Sequence, residues 1–238
     1  MHVSPMVSAA LERIEERADD VRRAFTPGAE PLFDDAGRRE VSYPTSDPLS
    51  VAPPDRLYFV ERNASGEIRY TRDGSFVLRD GLLCSRDGGA ILGYSRAGRL
   101  GEIRCDPVDL ALGRARGIYV NAAGGVAYER SVVDPRTGRA DRQRVSIGRI
   151  ALARFAAGTR LRESADGGLV AADGVLPQLG VPGEGGFGAV APMRRESSAI
   201  DIDAGIDRLR TAYVEFDAMQ AIYQTQNGVA KGAMDLVK

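Results

Sequence analysis

Gly183-Glu184-Gly185-Gly186-Phe187-Gly188 has the spacing G-x-G-x-x-G, in which glycines let a phosphate reach the backbone at a helix N-terminus. That chemistry needs a strand before the pattern and a helix after it. Here Pro182 precedes it, Pro192 follows it, and no helical periodicity begins in between, so the reading assigns no nucleotide or other cofactor. Asp201-Ile202-Asp203-Ala204-Gly205 resembles the start of a calcium loop. Its glycine comes one place early, and Ala212 stands where the bidentate glutamate belongs. These carboxylates fit better as first-turn residues that complement a helix dipole. Gly93-Tyr94-Ser95-Arg96-Ala97 is not a nucleophile elbow, because its fifth residue is not glycine. His2 is the only histidine, which argues against His-based catalysis and histidine-rich metal sites. The two cysteines, Cys84 and Cys105, make no disulfide framework and read as small core or surface residues. The expectation is a chain with no catalytic, metal or cofactor-binding residues, and not an enzyme.

Composition narrows the partners. The 238 residues suffice for one large or two small domains. A net charge of −1 makes no electrostatic case for a nucleic acid or other polyanion. Of 32 basic residues only Lys231 and Lys238 are lysine, a bias read as genomic. No apolar run approaches the ~20 residues of a membrane span, so no membrane insertion is expected. The N-terminus turns charged by Glu12 without an apolar core segment, so no cleavable signal peptide is expected either.

The chain's most regular element is at its end. Ile206, Leu209, Tyr213, Phe216, Gln220, Tyr223, Asn227, Ala230, Met234 and Val237 recur at gaps of three and four. This is the a/d stripe of a coiled-coil helix, with Gln220 and Asn227 at a-type positions where polar residues can fix register. The helix either packs on the chain's own body or serves assembly. At the other end Ser4-Pro5 signals a helix start. Val7, Leu11, Ile14, Ala18, Val21 and Phe25 then form a second stripe, which Thr26-Pro27-Gly28 ends. The two stripes are expected to pair, because each buries what the other exposes.

Residues 29–54 contain Pro31, Pro44, Pro48, Pro53 and Pro54 and read as an extended connector. Residues 55–195 read as β. Arg-Asp-Gly recurs three times at a spacing of seven, and the pairs Asp73-Gly74, Asp80-Gly81 and Asp87-Gly88 are turn signals. Short apolar runs such as Leu57–Val60, Leu82–Cys84 and Ala90–Gly93 lie between and beside them, and longer strands are expected at Gly117–Asn121, Val126–Val133 and Arg144–Phe155. The expected fold is mostly β with terminal α-helices: an irregular sandwich or barrel-like domain, plus paired helices at 1–28 and 196–238.

Tyr70-Thr71-Arg72-Asp73-Gly74-Ser75-Phe76, continuing through Gly81, Leu83, Asp87-Gly88 and Leu92-Gly93, resembles the bacterial flagellar rod and hook proteins, most closely the distal-rod type. Asp47–Ala52 with Leu57–Val60 is similar to that family's entry strand, and Ile147–Phe155 to its "G.I.LA.F" strand. Pro177–Gly183 is similar to its "P..G.PG..G.G" run, and Glu196–Asp201 to the "ESSNVD" entry of its last helix. The N-terminus departs: where the family reads "ANNIANANTPGFK", this chain has the asparagines replaced, while Ala18 and Thr26-Pro27-Gly28 stay. The connector is also shorter than usual. The resemblance implies a structural protomer of the basal-body rod, helically polymerising and exported uncleaved by the flagellar type III apparatus. It also implies partners among its own copies, other axial proteins and that apparatus. A monomeric β-domain binding module and a divergent rod-like protein outside the standard rod are the alternatives.

Overall fold

The computed structural model describes residues 5–24, 42–133, 136, 140–159, 161–164, 168–172, 174–198 and 202–235. It divides the chain into two compact units, one of residues 1–39 and 198–238, the other of 40–197.

The first unit contains helices α1 (Pro5–Arg23) and α3 (Ile202–Asp235); a short helix, α2 (Pro107–Ala111), belongs to the second. Pro5 opens α1, as the helix-start signal requires, and Arg22 and Arg23 close it beside the negative end of its dipole. An ion pair joins Arg13 to Glu215, and Gly205 lies against Val21. Eight residues forward on α1 thus correspond to ten residues backward on α3, so the helices run antiparallel side by side. They do not form the expected coiled coil. Of the predicted stripe only Val7 is buried; Leu11, Ile206, Tyr213, Gln220 and Asn227 are exposed. Ala10, Gly205 and Ala212, each one residue before an expected seam position, are buried in the contact, where the described stripe residues other than Val7 are at most half-buried. Small residues let two helix backbones approach, and that turns the bulkier neighbours Leu11, Ile206 and Tyr213 outward. The lengths also mismatch: α1 has 19 residues and α3 has 34, so α1 runs out near residue 224 of α3.

The second unit holds all the strands: β1 (Ser42–Pro44), β2 (Val51–Ala52), β3 (Leu57–Arg62), β4 (Ile68–Thr71), β5 (Val77–Arg79), β6 (Leu82–Cys84), β7 (Ala90–Tyr94), β8 (Leu100–Glu102), β9 (Ala115–Val120), β10 (Gly125–Val133), β11 (Ala140–Ile150), β12 (Leu152–Arg154), β13 (Leu161–Glu163), β14 (Leu169–Ala171), β15 (Gln178–Gly180), β16 (Ala191–Pro192) and β17 (Arg194–Glu196). The expected sandwich or barrel is not what they form. Thirteen strands make one branched sheet whose main path runs β13-β14-β4-β3-β7-β11-β10-β9, and β1-β17 and β2-β16 are two small additions. The expected connector lies outside the described residues as far as 41. From Ser42 onward the chain is paired by β1 and β2.

A single sheet suffices because its central strands are apolar on both faces. Leu57 and Phe59 join one core cluster with Phe76, Ile91, Ile150 and Leu152, while Val60 joins another with Leu92, Ala151 and Ala153. Successive residues of a strand point to opposite faces, so the unbroken runs Leu57–Val60 and Ile150–Ala153 feed both clusters.

The Asp-Gly pairs differ in role. Asp80 and Gly81 (φ 48° and 78°) form the two-residue turn between β5 and β6. Asp87-Gly88 closes the loop from β6 to β7, with the Gly88 N–H donating to the Ser85 carbonyl. Asp73-Gly74 is no hairpin turn. The Asp73 carboxylate accepts from the Ser75 N–H, and Gly74 lies against Val51, whose N–H donates to the Gly74 carbonyl at 3.0 Å.

Cys84 and Cys105 are buried and free. Leu82 pairs with Arg104 and Cys105 bonds to Gly81, so the thiols sit about three residues apart along the strand direction, roughly 10 Å and beyond disulfide reach. Burial pushes both thiols up from their ordinary value. The protonated form is therefore favoured in the fold, and its contribution to stability is full at neutral pH and lost as pH rises through the shifted values. Ellman's reagent at pH 8 should label neither thiol in the folded chain and both after denaturation. Rapid labelling of either one in the native state would contradict this burial.

Candidate functional site

Among the described residues no group of three or more His, Cys, Asp or Glu could hold a metal ion. No helix among the described residues is long and apolar enough to cross a membrane. The features that could act on another molecule are two arginine-built junctions, two open grooves and one helix face.

Arg72 builds the first junction. It leaves β4 just before the chain turns into Asp73-Gly74, and its side chain is only 7 % exposed. Its Nε donates to both oxygens of Glu196, at 3.0 and 2.9 Å, and Nη2 donates to Oε1 at 2.7 Å. Nη1 donates to the Leu57 carbonyl at 2.8 Å, and the guanidinium sits 5.7 Å from the Tyr58 ring centre. One side chain thereby ties β3, the end of β4 and β17, whose sequence positions are far apart. Only a planar fork of donors can serve a carboxylate and a carbonyl at once. Arg72→Ala should cost about 2–4 kcal/mol, and Arg72→Lys should recover only part of that. Urea unfolding of both variants measures it; equal midpoints for Lys and Arg would show that the fork geometry is irrelevant.

Arg149 and Arg154 build the second junction, around the loop that carries the G-x-G-x-x-G spacing. Arg149 pairs with Glu184 and donates to the Pro182 carbonyl at 2.9 Å. Arg154 donates to the Gly186 carbonyl and lies 4.4 Å from the Phe187 ring centre. Gly183, Gly185 and Gly186 have positive φ, and Phe187 is buried in the core. The glycines therefore bend a loop that plants one aromatic side chain. No helix follows; the next element is β16.

An open groove of about 450 Å³ borders this junction, lined by Tyr94, Arg96, Ser146, Arg149 and Glu184 among others. Within the helical unit a groove of about 400 Å³ is lined by Arg13, Arg17, Arg208, Thr211 and Glu215.

The residues of the predicted helix stripes are dispersed. Ile14, Ala18, Val21, Leu209, Phe216 and Tyr223 are half-buried along the contact between α1 and α3. Gln220 and Asn227 face solvent, Phe25 and Val237 lie outside the described residues, and for Ala230 and Met234 only the helical backbone is described. What the stripe reading missed is the opposite side of α3. Val214 (69 % exposed), Ile222 (55 %) and Val229 (68 %) lie there with Ala218, on average about 125° around the helix from Gly205 and Ala212, with Val214 the farthest round. Their signal was present as a second 4-4-7 spacing of apolar residues, overlaid on the more continuous first one.

Helix α2 was also missed, although Asp106-Pro107 carries the same start signal as Ser4-Pro5. The Asp106 carboxylate accepts from the Val108 N–H. Asp109 on that helix accepts from the buried Tyr128 hydroxyl, and burial first, then this bond, pushes the phenol far up. The pair pins α2 to β10.

No model of a known protein family matches the chain, and no curated protein matches it.

Proposed function

We propose that this chain is a structural protomer of the bacterial flagellar basal-body rod, exported by the flagellar type III apparatus and polymerised helically with its own copies and other axial proteins. The observation that carries the reading is the exposed apolar stripe Val214, Ala218, Ile222, Val229 on a helix that outruns α1, its helical neighbour among the described residues of the unit. Such a face gains from burial against another chain. Further support comes from how the motif segments meet. The stretch around Arg72 closes on Glu196, and the Ile147–Phe155 stretch holds the 182–187 loop through Arg149 and Arg154. Residues that carry the rod-like resemblance are thus the ones that tie the β unit together. Mass spectrometry of basal bodies purified from the native host tests the proposal: the chain should be present with its N-terminal peptide attached. A deletion strain should make truncated basal bodies and not swim. Absence from basal bodies, with normal swimming of the deletion strain, would leave a β-domain binding module as the better reading.

A further inference from the structure

The near-zero net charge conceals a segregation. Residues 113–150 hold eight arginines against three carboxylates, a net of +5, while the whole chain is −1, so the remainder carries −6. Within this stretch β9, β10 and β11 form the three-stranded end of the large sheet. Register places the charges. Glu129 pairs with Arg116 on one side and Arg144 on the other, so all three side chains share a face. Arg142, two residues from Arg144, lies on it as well and reaches Glu129 at 3.5 Å. Arg144 stacks over Tyr119, 5.7 Å from the ring centre. The other face is covered, since Tyr128 and Arg130 meet Asp109 of α2 there. One face of this tongue is therefore an exposed arginine array with a single carboxylate at its middle.

We infer that this arginine face docks on an acidic surface of a second copy of the chain. Charge complementarity selects that occupant. The balance missing from the tongue is carried by the same chain, and the described residues offer a matching stripe on α1. Glu12, Glu15 and Asp19 are exposed at spacings of three and four, on the side away from Val7 and Ala10. From Glu12 to Asp19 is about 10 Å along a helix, and two strand spacings from Arg116 to Arg144 are also about 10 Å. A contact between two unlike surfaces links copies head to tail, and it propagates wherever the rotation between copies does not close into a ring. The inference rests on the proposed self-assembly and adds to it a charged contact separate from the apolar stripe of α3.

Sedimentation velocity of the full chain tests it between about 0.1 M and about 1 M salt, where the screening length falls from about 10 to about 3 Å. Wild-type self-association should weaken as salt rises. Arg116→Glu with Arg142→Glu and Arg144→Glu, which also crowds Glu129 with like charge and lowers melting, should weaken it about ten-fold or more at low salt, and glutamine at the same three positions should weaken it with melting near wild type. Glu12→Lys with Glu15→Lys and Asp19→Lys should also weaken it, and mixing the glutamate and lysine variants should restore association. Salt-independent association, a monomeric wild type, or failure of the mixture to recover would each overturn the inference. So would tongue variants that associate normally but lose binding to anionic phospholipid vesicles or to heparin, since the occupant is then not a second copy. If tongue variants associate normally while Val214→Glu with Ile222→Glu does not, the tongue contact fails and the rod reading survives.

Discussion

Gly74→Ala should destabilise the β unit by on the order of 3 kcal/mol or more. A Cβ at this position would lie 1.7 Å from the Val51 carbonyl oxygen and 3.0 Å from the Phe59 ring. Neither neighbour can yield cheaply. Val51 is fully buried, its N–H bonds to the Gly74 carbonyl, and β2 pairs with β16 beyond it. Phe59 is fully buried and meets Phe76 edge-to-face at 5.0 Å. Relief therefore means separating β2 from the Asp73–Ser75 segment, which breaks that hydrogen bond and opens the core around Phe59. Urea unfolding of Gly74→Ala against Gly101→Ala measures it, because a Cβ on Gly101 meets nothing within 4 Å. Equal midpoints for the two variants would refute the close approach.

Val214→Glu with Ile222→Glu should leave the isolated chain as stable as wild type, within about 0.5 kcal/mol, since both side chains already face water. Its effect should appear only between chains. Burying either carboxylate in an apolar contact without a partner costs several kcal/mol. Repeated at every contact of a polymer, that cost should abolish ordered assembly and swimming. The sensitive comparison is with Ile206→Glu and Tyr213→Glu, on the stripe that heptad spacing favours but that lies on average about 135° from the Val214–Val229 face. If the second pair is the more damaging, assembly uses the heptad stripe and the Val214–Val229 face is ordinary surface.

Much of the chain's local structure is legible without coordinates. Pro5 marks a helix start because proline is already set for the first helical turn. Asp80-Gly81 marks a two-residue hairpin because both positions need positive φ. The unbroken runs Leu57–Val60 and Ile150–Ala153 announce strands buried on both faces. These signals act over a few residues, so the residues themselves carry them. The Asp106-Pro107 signal was equally local and shows only that a rule applied at one end of the chain holds in its middle too.

What the tertiary structure decided is which of two neighbouring residues faces a partner, and which distant residues meet. Leu11 and Tyr213 have far more side-chain area to bury than Ala10 and Ala212, yet the small pair is buried and the large pair exposed. Periodicity measures how apolar a stripe is, not how closely two backbones can approach, and a pair of helices in contact at alanine and glycine gains its packing from that approach. The meeting of Arg72 with Glu196 is of the same kind. Each lies in a recognisable stretch, but 124 residues separate them, and only the placing of β17, paired with β1, beside the end of β4 brings the carboxylate to the guanidinium. Charge behaves likewise: a total of −1 is a property of the composition, while an arginine face on β9-β10-β11 exists only because strand register sets Arg116, Arg142 and Arg144 on one side.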